Sequence, residues 1–196
     1  MFPRHSYVFL PSGRNLWYDI REGGFFMHKR ADLAAIARQE AMRNFHGNLP
    51  GQPLNIQPLV VPFPPMDIDK WDGLWCAAFV HYCCNKAGFR IPARPAEARS
   101  CTLGGCIAWE EWAMADPRVI YVSGRDESFT PEPGDIVLFD RVFEDHPHDH
   151  IGIVLEYSDD ELITAEGNVA NVSAIVHRKR DHHIRSYLRL SDGFTY

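Results

Sequence analysis

The chain has 196 residues, enough for one domain with a sizeable core, and its 45% hydrophobic and 23% charged residues exclude a disordered or fibrous protein. A net charge of -6 offers no basic excess for nucleic acid or an anionic membrane surface. Five cysteines cannot pair completely as disulfides, so at least one thiol is free, and the question is whether it is free for a purpose.

The first residues hold only a four-residue apolar run, Tyr7 to Leu10, against the roughly 7–15 residues of a secretory core. No later stretch approaches the roughly 18 apolar residues of a membrane span. The expectation is a protein made in the cytoplasm without a membrane span, which reaches any target outside the cell after release or by a non-standard export. Residues 6–20 read as a weak hairpin around Pro11 to Asn15. Residues 31–46 are rich in helix formers, with Leu33, Ile36, Ala37, Ala41 and Phe45 along one stripe and Gly47 as the stop. Six of the fourteen prolines fall within 50–65, which predicts an extended connection and the best domain boundary. Residues 74–87 then read as a buried helix stopped by Gly88, and 105–114 as a short helix whose Trp109 and Trp112 pack in the core. Strands come after it at 119–122, 135–140, 150–156, 161–166, 172–178 and 184–190, divided by turns such as Pro133, Gly134, Asp135. Helices first and strands second argue for an α+β fold with an antiparallel sheet.

Three short runs carry chemistry. Cys76, in the run Trp75, Cys76, Ala77, Ala78, Phe79, Val80, opens a helix, where free N–H groups and the helix dipole favour a thiolate nucleophile. The other four cysteines read as buried and inert: Cys83 and Cys84 lie mid-helix, and Cys101 and Cys106 flank a Gly-rich turn. A thiolate needs an imidazole partner. His146, His148 and His150 stand two apart, so spacing alone does not choose among them, although a solvated turn is the plainer reading of the first two. Glu166 and Asn168 end the next strand, which would form a hairpin with the strand of His150, so either can orient the ring.

Taken in order, four motifs resemble the cysteine, histidine-dependent amidohydrolase/peptidase (CHAP) domain, of the NlpC-like, papain-like cell-wall hydrolases. They are the run around Cys76, Pro133-Gly134-Asp135 with its strand, Asp149-His150 with its strand, and Glu166-Gly167-Asn168. The resemblance implies a papain-like fold, a nucleophile helix packed on an antiparallel sheet, over 29–196, with 1–28 as an N-terminal extension. It implies Cys76 as nucleophile, His150 as base, Glu166 as the residue orienting it and Asn168 as a nearby polar residue of the site. Asp135 is read as structural. The implied activity is cysteine-dependent hydrolysis of amide bonds in peptidoglycan peptides, with no cofactor and no metal. Trp71 and Trp75, beside the nucleophile, are candidates for a substrate groove.

Rival readings rest on other features of the chain. Structural zinc is disfavoured because no Cys-x-x-Cys pair exists. Asp67 and Asp69 alternate as at the start of a calcium loop, but further ligands are not evident and a solvated acidic turn is the simpler reading. A papain-like peptidase or acyltransferase on a non-wall substrate, and a non-catalytic wall-binding module, are the alternative functions.

Overall fold

Strand β2 (Ile136–Phe139) is apolar at every position and buried at every position. A strand of that kind needs cover on both faces, and the fold provides it. Ile136 and Leu138 face the main core, whereas Val137 and Phe139 face a smaller cluster with Val154, Leu162, Ile184 and Tyr187. The computed structural model describes residues 29–63 and 75–196. The hairpin expected at 6–20, the calcium candidates Asp67 and Asp69, and Trp71 lie outside the described residues.

The helices are α1 (Arg30–Ala41), α2 (Gln57–Val60), α3 (Cys76–Lys86) and α4 (Cys106–Ala115). The other strands are β1 (Val119–Ser123), β3 (His150–Tyr157), β4 (Glu161–Val169), β5 (Val172–Lys179) and β6 (Ile184–Leu190). They form one six-stranded sheet in the order β1-β6-β2-β3-β4-β5, antiparallel throughout. Helices α3 and α1 pack against β3 and β4, so the architecture is α+β and papain-like, as expected. Trp109 and Trp112 are both fully buried, in edge-to-face contact at 5.7 Å.

Two expectations need correction. Helix α1 stops at Ala41 and does not run on to Gly47. Asn44 turns the chain with a φ of 56°, and β5 captures the next residue: Phe45 N–H donates to Ser173 Oγ, and Ser173 N–H donates back to Phe45 O. Tertiary pairing thus overrides helix propensity over the last residues of the stripe. The Pro-rich connection also contains a helical turn, α2, with Pro58 in its first turn, where a missing N–H costs nothing. Its Leu59 and Val60 and the preceding Ile56 are fully buried, and this burial fixes the turn.

Asp135 is fully buried, and its carboxylate accepts two bonds from Arg189 at 2.8 and 2.7 Å, one from Arg30 at 3.4 Å and one from Glu132 N–H. It therefore ties the start of α1, the turn before β2 and β6 together, a structural role.

Candidate active site

Cys76 is the first residue of α3, so its sulfur sits at the positive end of the helix, near the N–H of Ala77. Cys106 is the first residue of α4, and its Sγ lies 3.6 Å from that of Cys76. Both thiols are buried, at 2% and 8% exposure. The Cys106 S–H hydrogen bond lowers the Cys76 thiol to about 5, against burial, with further help from the bond and charge of His150 and from Ala77 N–H. The proton stays on Cys106, which its bond to Cys76 and its burial push well above the ordinary thiol range. Burial raises Cys83 and Cys84 as well, so neither competes as a thiolate.

His150 opens β3 and is buried. Its Nε2 bonds Glu166 Oε2 at 2.7 Å, which leaves Nδ1 for Cys76. Burial alone would lower the imidazole, but the bond to Cys76 and the bond and charge of Glu166 outweigh it and raise the ring to about 9. Phe143 packs edge-on against the ring at 4.8 Å and Phe139 stacks at 6.2 Å, which restricts its rotation. Glu166, fully buried, is held at about 2: burial opposes ionisation, but bonds from Arg178 and His150 and their charges prevail. Arg178 donates Nε to Oε1 at 3.0 Å and Nη2 to Oε2 at 2.6 Å, and Thr164 Oγ1 donates to Oε1 at 2.6 Å. Thiol, imidazole and carboxylate thus form one connected line, charged as thiolate, imidazolium and carboxylate near neutral pH.

The local sequence explains how the line is held. Gly152 pairs with Glu166 across the β3–β4 ladder, and a Cβ at Gly152 would stand 2.9 Å from Glu166 Cγ. Only glycine lets the carboxylate lie over β3 toward His150. A Cβ at Gly167 would come within 2.5 Å of Phe79 Cβ and 2.8 Å of Trp75 Cζ3, so glycine lets β4 approach the start of α3. The expected hairpin of β3 and β4 forms, and it brings Cys76, His150 and Glu166 together.

The remaining residues fall differently. Asn168 has a φ of 61° in the irregular stretch after Glu166 and lines a cleft of about 210 Å³ with Phe143, Asp149, His150 and Asn171. No side-chain bond from it reaches His150 among the described residues. Trp75 is not a groove wall: it is fully buried, and its Nε1 donates to Asn171 Oδ1 at 3.1 Å, so it supports the cleft from behind. His146 is exposed beside Glu144, as a solvated turn requires. His148 is not solvated: its Nε2 bonds Glu110 Oε2 at 2.5 Å, in a network with Arg185 and Tyr121. Asp149 Oδ2 accepts N–H bonds from Val142, Phe143 and Glu144, which pins the loop that carries Phe143 onto His150.

Sequence reasoning missed two members of the site. Arg178, near the end of β5, clamps Glu166 with its guanidinium 4.9 Å from the Phe143 ring centre. The alternation along β5 holds a partial signal, because Arg178 pairs with Leu162 and so shares a face with Glu166. Cys106, expected to be inert, touches Cys76, and its place at the start of a helix was the available sign. Among the described residues, Asp181, His182 and His183 bring metal-ligating atoms together on the turn between β5 and β6.

A helix carrying a cysteine at its start, packed on an antiparallel sheet, places the protein in the papain-like class. Within it, the model of the CHAP domain matches residues 68–168, a little over half the chain, and the chain belongs to that family. Comparison with curated proteins and with solved structures gives no match. CHAP domains are in general hydrolases of the peptidoglycan amidase and peptidase class.

Proposed function

We propose that this protein is a cysteine amide hydrolase that cuts the peptide part of peptidoglycan, with Cys76 as nucleophile, His150 as proton carrier and Glu166 as the group that orients and charges the imidazole. The observation that carries this reading is the buried line from Cys76 through His150 to Glu166, in a chain that belongs to the CHAP family. The thiolate attacks an amide carbonyl; the oxyanion develops beside the N-terminus of α3, where the backbone N–H groups of the first turn and the helix dipole stabilise it. His150 gives its proton to the departing amine, then takes one from water as the hydroxide attacks the thioester and frees the acid. The carboxylate of Glu166 stabilises the imidazolium whenever the ring carries its second proton, orients the ring when it does not, and is itself fixed by Arg178. Asn168 and Phe143, which border the cleft beside His150, are in position to meet the substrate backbone. The test is release of new amino groups from purified peptidoglycan by the wild type, by Cys76→Ala and by His150→Ala. Release by the wild type alone supports the proposal; equal release by all three overturns it.

A further inference from the structure

Cys106 plays no covalent part in amide hydrolysis, yet two helices converge so that their first residues set two sulfurs 3.6 Å apart. That is van der Waals contact, and a disulfide needs about 2.05 Å, so the sulfurs have to close by about 1.5 Å. Cys106 directly follows Gly104 and Gly105, where the backbone adjusts most easily. We propose that Cys76 and Cys106 form a modification site, a dithiol that hydroperoxide oxidises to an intramolecular disulfide.

The chemistry balances with the groups in place. The Cys76 thiolate attacks one oxygen of hydrogen peroxide; an S–O bond forms, the O–O bond breaks, and the hydroxide that leaves takes the proton carried by His150 to become water. Cys76 is then a sulfenic acid. Cys106 Sγ attacks Cys76 Sγ; the S–S bond forms, the S–O bond breaks, and the second hydroxide takes the Cys106 proton. Two thiols and one peroxide become one disulfide and two waters, with two electrons passing from sulfur to oxygen. The selectivity is geometric. Cys83 and Cys84 are fully buried within α3, whereas Cys76 adjoins His150, which lines the open cleft. Cys101 is the one rival for Cys106, because it is half-buried and a Cβ at Gly105 would lie 2.8 Å from its sulfur. The disulfide removes the nucleophile reversibly and shields it from the sulfinic and sulfonic acids that are not recovered by thiols. It would make hydrolysis stop under peroxide and resume on reduction.

The proposal rests on Cys76 being the thiolate of the proposed hydrolase, but its test needs no wall substrate. Reduced full-length protein is titrated with hydrogen peroxide, quenched by alkylation under denaturing conditions, and mapped by mass spectrometry. The expected product carries two alkyl groups fewer than the reduced protein, with the peptides of Cys76 and Cys106 linked, and dithiothreitol reverses it. Cys106→Ser and Cys106→Ala should instead add one and then two or three oxygens at Cys76, and Cys101→Ser should still form the link. Direct addition of oxygens to Cys76 in the wild type, or a Cys101–Cys106 link in its place, would overturn the proposal. If the link forms in a protein inert toward peptidoglycan, the hydrolase reading fails and the dithiol stands; if an active hydrolase never links, the reverse holds.

Discussion

Replacing Arg178 with Met tests how the carboxylate of the site is held. The substitution keeps an unbranched apolar stem and removes two charge-assisted bonds to a carboxylate that is fully buried. Such bonds contribute about 1.5–3 kcal/mol each, and breaking a buried pair costs about 3–5 kcal/mol because one charge stays behind. The Arg178 side chain is 15% exposed, and His150 and Thr164 remain on Glu166, so the low end applies, about 3 kcal/mol. For a chain of this size that is a fall of about 6–12 °C in melting temperature at pH 7. The pH dependence supplies the sharper reading. Glu166 has its pKa depressed to about 2 from 4.5, so its stabilisation is fully present above the ordinary carboxylate range and is lost as pH falls through about 2. Without Arg178 the carboxyl titrates higher and protonates where the wild type is still ionised, which relieves the buried charge. The wild type loses this stabilisation as pH falls below the ordinary carboxylate range and the variant does not, so the gap in melting temperature should narrow from pH 7 toward pH 3. Calorimetry or circular dichroism from pH 3 to pH 8 measures both quantities. A melting temperature within about 2 °C of the wild type at pH 7, with the same acid limb, would refute the clamp.

The rate of hydrolysis should be bell-shaped, rising as Cys76 ionises through about 5 and falling as His150 loses its proton through about 9. Glu166→Gln removes a charge that raises His150, so the alkaline limb of kcat/KM should move to lower pH; an unmoved limb would dissociate the two groups. Gly167→Ala places a methyl within 2.5 Å of Phe79 Cβ, and the overpacking should cost about 1–3 kcal/mol in urea unfolding, with loss of activity as β4 shifts from α3. Glu110→Ala strips His148, Arg185 and Tyr121 of a shared acceptor and leaves Arg185 half-buried beside Asp140 alone, which should lower stability by about 2–4 kcal/mol in the same unfolding assay. Brief treatment with iodoacetamide should label Cys76 ahead of the other four thiols, with selectivity lost below pH 5; uniform labelling would contradict a thiolate at Cys76.

The features that the chain reveals locally and those that it hides differ for a physical reason. The six strands of the second half are legible because alternating and apolar runs bounded by turn residues record burial directly, and β6 falls where the pattern puts it. The helix start at Cys76 is legible for the same reason, since it opens an apolar run of helix formers. The end of α1 is not, because nothing in 42–46 announces that Ser173, far along the chain, will take the backbone of Phe45. The trio of the site was readable only as separate motifs in order; the 2.7 Å contact of His150 with Glu166 depends on a glycine at 152 opposite the acid. Arg178 and Cys106 were out of reach as partners. A long cationic side chain at a strand end reads as solvated unless the register is known, and a cysteine reads as a small apolar residue unless the two helix starts are known to meet.

The central claim is that Cys76 cleaves amide bonds of peptidoglycan peptides, and mass spectrometry of the products from defined muropeptides tests it most directly. Wild-type protein should convert an intact muropeptide into two fragments whose masses sum to the parent plus one water, and trapping in the presence of substrate should leave an acyl group on the Cys76 peptide. Cys76→Ser, with its sulfur replaced and the fold kept, should yield neither. Fragments formed equally by Cys76→Ser, or an intact muropeptide after prolonged incubation with folded, reduced wild type, would contradict the account.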